Sequence, residues 1–253
     1  MKNQYFGDVN DYRKYGLLRA LQSCGEHKLL VVWMLTPDDG GTDGQIRSYL
    51  QHPGEWEHFD PELYNRLLHI LQSPVTPRVS LLEGSGLLPR TAFYSETVPN
   101  DRDGRQSWRE GLMNLASGAD IVFFDPDNGI EVPSKPVGLN GSSKYVTWDE
   151  IKKVWDAGCS LLIYQHFHRK PRHEFAECMA SKLQECTGAA LTEAFRMPNV
   201  LFLLAAHPKH EASLREAIAC VRRCWTITEK KEIAVVGLAD KKMQRSSLPN
   251  TDC

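Results

Sequence analysis

The fold is decided by the stretch Ala119-Asp120-Ile121-Val122-Phe123-Phe124-Asp125-Pro126-Asp127-Asn128-Gly129-Ile130-Glu131. Its apolar, β-branched and aromatic run ends abruptly in carboxylate, proline, amide and glycine residues, which is typical of a buried strand followed by a turn. In an open α/β sheet the ligand crevice lies outside the carboxyl ends of the strands. The sequence therefore predicts that Asp125, Asp127 and Asn128 project into such a crevice.

Helices and strands are predicted to alternate on both sides of this stretch. The capping box Thr147–Glu150 begins one helix, which Gly158 ends, and Asp60 caps another that has Pro61 in its first turn. The remaining helices are predicted over 8–23, 104–117, up to 186 and over 209–223. The strands are predicted over 29–35, 160–164, 191–195, 200–205 and 233–236, with short strands and turns between 78 and 99.

This alternation predicts a three-layer, Rossmann-like α/β fold with a mostly parallel sheet that helices cover on both faces. The connection 196–199 is too short for a crossover, so it predicts an antiparallel hairpin at the sheet edge. No internal repeat or long linker divides the chain. We therefore expect one domain over 1–240, followed by a polar, disordered tail over 241–253.

Composition limits the classes of function. The chain has 253 residues and a net charge of -2, which gives no overall attraction to nucleic acid, so such binding would need a local basic patch. No apolar run approaches the roughly 18 residues that a membrane span needs, and Met1–Tyr5 lacks the apolar core of a secretion signal. Seven cysteines without a CxxC pair favour buried, reduced thiols and a cytoplasmic protein. Cys220 and Cys224, one helical turn apart, could suit a metal, but no second pair completes a zinc site.

Two polar clusters precede the central stretch. Asp11 and Lys14 share a helix face with three leucines, and the start of that helix is predicted to lie beside the carboxyl ends of the strands. Both side chains would then face the crevice; the alternative is an ion pair at the rim of the core. The second cluster, 36–44, follows the first strand, and its glycines would let the backbone approach a ligand. A surface loop without a ligand is the alternative there.

Two further clusters follow the central stretch. His166 ends the next strand, where it could act as a general base or as a ligand, or be a hydrogen-bonded structural residue. The basic run after it, with Arg169, Lys170 and Arg172, is either a solvated surface or a contact for phosphates of RNA or DNA. The segment 142–145, which includes Lys144, is predicted to reach over the site as a lid.

The segment Gly7-Asp8-Val9-Asn10-Asp11-Tyr12-Arg13-Lys14-Tyr15 resembles the start of the bacterial large-subunit ribosomal RNA adenine-N6 methyltransferases. Phe124-Asp125-Pro126 is similar to their Asp-Pro-Pro-Tyr motif, and also to the Asp-Pro motif of the three-Cys-motif partner proteins. The start 5–12 is similar to that of a further family of bacterial proteins as well. The resemblance implies a class I methyltransferase-like fold, in which the late hairpin forms the antiparallel edge.

The resemblance also implies roles for individual residues. Asp125 would orient a target amino group, and the catalytic set would comprise Asp125, Asp127, Asn128, Lys14 and His166. The S-adenosylmethionine site would be bordered by Asp11, Thr36, Asp39, Gly40, Gly41 and Asp43. Two departures are visible: the cofactor loop keeps only scattered glycines, and Asp127-Asn128 replaces Pro-Tyr, so Tyr145 or Tyr164 would have to supply the stacking ring.

Three functions follow as hypotheses. The first is S-adenosylmethionine-dependent N-methylation of a nucleic-acid amino group. The second is a Mg²⁺-dependent nuclease or phosphoesterase whose ligands are Asp38, Asp39, Asp125, Asp127 and His166, with Lys144 neutralising developing charge. The third is a catalytically inactive module that binds a nucleotide or a partner. The substrate and the oligomeric state are not determined by the sequence.

Overall fold

The computed structural model describes residues 1–41 and 44–225, together with the backbone of 234–237. Its α-helices are α1 (Val9–Ser23), α2 (Pro53–Trp56), α3 (Pro61–Gln72), α4 (Ser80–Glu83), α5 (Arg102–Ala116), α6 (Trp148–Asp156), α7 (Arg172–Thr187) and α8 (Glu211–Cys224). Its strands are β1 (Leu29–Val32), β2 (Thr91–Tyr94), β3 (Ile121–Phe124), β4 (Gly129–Ile130), β5 (Tyr145–Val146), β6 (Ser160–His166), β7 (Leu191–Arg196), β8 (Val200–Ala206) and β9 (Ala234–Gly237). Asp43, Ile233 and the predicted tail 241–253 lie outside the described residues.

The main sheet has the strand order β2-β1-β3-β6-β8-β7-β9. The first four strands are parallel, whereas β8 runs antiparallel to both β6 and β7. The chain leaves β1 towards β2 on one side and later returns to β3 on the other side. The pair β1 and β3 is therefore the topological switch point, beyond whose carboxyl ends a Rossmann-like sheet forms its ligand crevice.

Helices cover both faces of the sheet. Alternate strand residues such as Val31, Phe123 and Leu162 pack against α1, α3 and α8, and their sequence neighbours such as Val32 and Phe124 pack against α5, α6 and α7. Because successive side chains of a strand point to opposite faces, the continuous apolar runs build a core on each side. The three-layer, Rossmann-like α/β fold is thus confirmed.

Three details differ from the predicted elements. β1 ends at Val32 rather than at position 35, because Met34 adopts a left-handed backbone with φ of 46°. A helical turn, α4, lies in the region where only strands and turns were expected. The hairpin of β7 and β8 is confirmed, but β9 pairs with β7 and lies outside it. An unpaired edge of β7 would leave backbone donors and acceptors unsatisfied, and β9 pairs with them.

The expectation of buried, reduced thiols is met only in part. Of the described cysteines, the free thiols are Cys24, Cys159, Cys186, Cys220 and Cys224, and Cys159 is the buried one among them. Cys178 is disulfide-bonded, which the sequence did not predict. In the part of the chain that the structure describes, no helix has the length and apolarity to cross a bilayer.

A histidine cluster occupies the edge of the sheet opposite the crevice. His210 Nδ1 lies 3.0 Å from Ser160 Oγ, and its Nε2 lies 3.5 Å from Asp120 Oδ1. His27 Nε2 lies 2.7 Å from Ser213 Oγ, with its ring centroid 5.2 Å from that of His210. Burial lowers the pKa of both imidazoles, and Asp120 opposes this effect.

This cluster predicts a loss of stability in mild acid. The folded-state pKa values of His27 and His210 lie below the ordinary value of about 6.5. Their contribution to the free energy of unfolding is therefore fully present above about pH 6.5 and is lost as pH falls through the lowered values. We expect the Tm to fall between about pH 7.5 and pH 5.5, and to fall less in His210→Gln, whose amide can still bond Ser160. Equal pH slopes for both proteins in thermal unfolding would contradict this assignment.

Candidate active site

A cavity of about 440 Å³ lies beyond the carboxyl ends of β1 and β3. Its wall is formed by the amino-terminal segment, the first turns of α1, the loops that follow β1 and β3, Lys144, and the last residues of β6. The volume is within the range of roughly 300–1,000 Å³ that is typical of small-molecule sites. The cavity therefore occupies the crevice that the strand order predicts.

Lys14 forms the floor of the cavity. Its Nζ donates to Asp11 Oδ1 at 2.8 Å and to Asp125 Oδ2 at 2.7 Å. The side chains of Lys14 and Asp125 are only 3% and 2% exposed. The other oxygen of Asp11 accepts hydrogen bonds from Gly7 N at 2.9 Å and from the Tyr15 hydroxyl at 3.1 Å. Asp11 and Lys14 thus face the crevice, as one alternative predicted. They also form the ion pair of the other alternative, and Lys14 contacts Asp125 in addition.

Burial and charge act in opposite directions on this floor. Burial alone would lower the pKa of Lys14, but the carboxylates of Asp11 and Asp125 raise it above its ordinary value. Burial raises the pKa of Asp125, and the ammonium of Lys14 opposes that rise. Lys14 therefore stays charged at neutral pH, and the raised pKa of Asp125 means that this carboxyl binds a proton more readily than an exposed aspartate does.

Asp127 lies beside this floor and contacts the α-amino group of Met1. Its Oδ1 is 2.6 Å from the α-nitrogen of Met1, and its Oδ2 accepts from Thr36 Oγ1 at 2.6 Å. The same nitrogen donates to the carbonyl oxygens of Met34 and Asp125 at 3.2 and 3.1 Å. Burial alone would raise the pKa of Asp127, but these partners outweigh it and the pKa is lowered. Burial lowers the pKa of the Met1 α-amino group, and Asp127 and Asp125 oppose this effect. The crevice thus contains a point where one carboxylate and two carbonyls bind an amino group.

The predicted cofactor loop is held by the amino-terminal segment. Asp39 N and Gly40 N both donate to Gln4 Oε1, at 3.1 and 3.2 Å, and Gln4 Nε2 donates to Gly41 O at 3.2 Å. Asp39 also pairs with Lys2, and this contact, with the bonds from Gly41 N and Gln4, lowers the pKa of Asp39 to about 2. Asp39 lines the cavity, whereas Gly40 and Gly41 lie outside its wall. A ligand would have to displace Gln4 to accept hydrogen bonds from Asp39 N and Gly40 N.

The opposite wall carries the other predicted residues. Asn128 N donates to Lys144 O at 2.9 Å, and His166 N donates to Asn128 O at 3.2 Å. His166 Nε2 lies 3.4 Å from the Tyr164 hydroxyl. Desolvation lowers the pKa of His166, although Asp127 opposes the shift, so the imidazole is neutral at pH 7. Asn128, Lys144, Tyr164 and His166 all line the cavity, whereas Tyr145 does not.

A glycine allows the loop after β3 to pack closely against β6. Gly129 has a φ of 122°, and a Cβ there would lie 2.4 Å from Gln165 Oε1. The buried Gln165 accepts a hydrogen bond from Ile130 N at 2.8 Å through that oxygen. The turn formers of the central stretch therefore have a structural task, which is to hold Asp127 and Asn128 over the cavity.

The structure brings most of the predicted site residues together. Lys14, Asp11, Asp39, Asp125, Asp127, Asn128 and His166 line the same cavity, and the buried Thr36 contacts it through Asp127. The sequence analysis missed Met1, Lys2 and Gln4, whose contacts depend on segments far along the chain, and it missed Asp8 as a lining residue. The catalytic and cofactor-binding roles of the predicted site residues remain predictions.

Of the five carboxylates that line the cavity, Asp8 accepts hydrogen bonds from the backbone nitrogens of Asn10 and Ile46, and the other four contact amino groups. Lys14 contacts Asp11 and Asp125, Met1 contacts Asp127, and Lys2 contacts Asp39. Within 1–41 and 44–225, no three histidine, cysteine, aspartate or glutamate side chains are grouped so that they could hold a metal ion. Asp38, the remaining carboxylate of the proposed metal ligands, accepts from Gln4 N at 3.2 Å, and His166 is the fifth proposed ligand.

Comparison with known proteins adds no assignment. No model of a known protein family matches the chain, and no curated protein is similar to it in sequence.

Proposed function

We propose that this protein is an S-adenosylmethionine-dependent methyltransferase that acts on an amino group of a nucleic acid. The contact between Lys14 and Asp125 carries the proposal, because it joins the two short motifs on which the family resemblance rests. These residues are 111 positions apart, yet Lys14 Nζ lies 2.7 Å from Asp125 Oδ2. The contact lies at the switch point of the sheet, where Rossmann-like enzymes bind their ligands.

The order and direction of the strands support the same reading. β8 is inserted antiparallel between β6 and β7, and the tight connection 197–199 links β7 to β8. We take this reversed pair, which lies next to the outermost strand β9, as support for the resemblance. Fold alone does not determine activity, so the proposal depends on the site.

The cavity fits the cofactor in one respect and requires a rearrangement in another. The acceptors that hold the Met1 nitrogen, which are Asp127 and the carbonyls of Met34 and Asp125, suit the α-ammonium of an amino-acid moiety. That ligand would take the place of the Met1 nitrogen, and Gln4 would have to release Asp39 N and Gly40 N. When bound, the cofactor supplies an electrophilic methyl group. Asp125 would accept a hydrogen bond from the substrate amino group and so orient its lone pair.

Charge at the cavity rim supports a nucleic-acid substrate. Lys144 lines the cavity, and the exposed Arg169, Lys170 and Arg172 follow the neutral His166 in the chain. A phosphate backbone that crosses this side would meet several cations while a base enters the cavity. The stacking ring would come from Tyr164, which lines the cavity.

Calorimetry and methyl transfer test the proposal. We expect wild-type protein to bind S-adenosylmethionine and to transfer labelled methyl groups to RNA or DNA. The rate of transfer should be about 100-fold lower in Asp125→Asn, because the substrate amine loses the carboxylate that orients it. Asp120→Asn is the matched control, since Asp120 precedes the same strand and lies at the other edge of the sheet. A wild-type protein that binds no cofactor at millimolar concentration would refute the proposal.

The basic run predicts salt-dependent binding. Arg169→Ala combined with Lys170→Ala is expected to weaken RNA or DNA binding and to reduce the slope of log affinity against log salt by about 2, because each contact releases about one counterion. Lys28→Ala with Lys209→Ala removes the same charge from exposed positions at the opposite edge. Equal losses in the two double variants, measured by fluorescence anisotropy, would show that the run is an ordinary solvated surface.

The other two hypotheses have weaker support. A Mg²⁺-dependent nuclease would need free carboxylates, but Asp39, Asp125 and Asp127 each contact an amino group. Magnesium-dependent cleavage in the same nucleic-acid panel would favour it over methyl transfer. An inactive binding module would bind cofactor or nucleic acid without any transfer of label.

A further inference from the structure

Two cysteine thiols lie together on α8, and neither of them lines the cavity. Cys220 Sγ and Cys224 Sγ are 3.8 Å apart, and both are free thiols. Cys220 is half-buried and Cys224 is exposed. The apolar residues Leu214, Ala217 and Val221 anchor the other face of the helix in the core, so the backbone that carries the pair is held in place.

The separation of the sulfurs suits a shared cation better than a disulfide. A disulfide requires the sulfurs to approach to about 2.05 Å, which the helical backbone between them would have to accommodate. Two sulfurs 3.8 Å apart that each bind one cation at about 2.3 Å subtend an angle of about 110° at it. That is the angle of tetrahedral zinc coordination, and it is reached without moving either side chain.

We propose that Cys220 and Cys224 form a bidentate thiolate site for a thiophilic divalent cation of the Zn²⁺ class. Thiolates are the ligands that select such cations over Mg²⁺ and Ca²⁺. Each thiol loses its proton when the metal–sulfur bond forms, and the two remaining tetrahedral positions are taken by water or by the same pair from a second copy of the chain. The site is independent of the cavity and of the proposed methyl transfer.

Cadmium titration of the full-length protein tests this site, because Cd²⁺ bound to thiolate absorbs in the near ultraviolet. We expect wild-type protein to develop this absorbance and to saturate at one Cd²⁺ per chain, with water completing the coordination, or at one per two chains, with dimerisation seen by sedimentation. If the protein is first saturated with Zn²⁺, the absorbance that Cd²⁺ produces should be smaller, because the two cations compete for the same thiolates. Saturation at either ratio supports the pair as ligands.

Substitutions locate the signal. Cys220→Ser and Cys224→Ser, alone and together, should abolish the saturating absorbance while far-ultraviolet circular dichroism stays unchanged. Cys24→Ser combined with Cys186→Ser is the matched control, since it removes two other free thiols, both half-buried, and should keep the signal. No saturable absorbance in wild-type protein, or equal absorbance after both Cys220 and Cys224 are replaced, would overturn the proposal.

Discussion

Replacement of Lys14 with methionine is expected to lower the free energy of unfolding by about 3–5 kcal/mol, the cost typical of removing one partner from a buried ion pair. Lys14 Nζ is the ammonium that lies 2.8 and 2.7 Å from the carboxylates of Asp11 and Asp125. Methionine fills nearly the same volume, so the loss reports the missing charge rather than a cavity. Urea unfolding at pH 7 measures it.

The pH dependence of this loss identifies its cause. Without Lys14, two like charges are buried close together, and protonation is the route by which the folded state relieves them. The difference in the free energy of unfolding between the variant and the wild type should therefore become smaller as pH falls from about 7 towards 4. Lys152→Met, in the exposed pair with Asp156, is the control and should cost no more than about 0.5 kcal/mol. A comparable, pH-independent loss in both variants would contradict the role given to Lys14.

Arg105→Met is expected to have an effect of similar size, about 3–5 kcal/mol. Arg105 Nε and one terminal nitrogen donate to the two oxygens of Glu150, each at 2.7 Å, and both side chains are buried. Arg105 also donates to Tyr145 O at 2.8 Å. Arg109 Nε lies 3.7 Å from Glu150, beyond hydrogen-bond distance, so it compensates only in part. Denaturant unfolding of the single variant gives the value.

A double variant separates the ion pair from its packing. Arg105→Met with Glu150→Gln leaves no uncompensated charge, and the glutamine can still accept from Thr147 N, as Glu150 does at 2.9 Å. We therefore expect the double variant to be more stable than the sum of the two single losses implies, by at least about 1 kcal/mol. Strict additivity would mean that the charges of Arg105 and Glu150 are not coupled.

Local signals in the sequence predicted the elements where a few neighbouring residues decide them. Thr147 and Glu150 form the predicted capping box, and Asp60 accepts from Leu63 N at 3.1 Å as an N-cap ahead of Pro61. Such caps depend on hydrogen bonds between residues three positions apart, so the local sequence is enough to predict them. The end of β1 was predicted less well, because the residue with a left-handed backbone there is Met34 and not the glycine that usually marks such a turn in a sequence.

For the candidate site, the sequence predicted which residues meet but not how they pair. Asp125, Asp127 and Lys14 share one cavity because strand ends and a helix start are brought together by the topology of the sheet. That Lys14 contacts both Asp11 and Asp125 follows from the packing of α1 on β3, across 111 positions of sequence.

The sequence by itself determined the alternation of helices and strands, the hairpin and the edge of the sheet that carries polar groups, since periodicity and capping are local properties. The tertiary structure alone decided that Gln4 takes the amide donors of Asp39 and Gly40. It also decided that the Met1 nitrogen lies between Asp127 and two carbonyls, and that Lys14 lies between Asp11 and Asp125. The physical reason is that these pairings depend on distances between segments remote in sequence. For the buried groups Lys14, Asp125 and Asp127, burial then favours pairing, because an unpaired charge in the interior is costly.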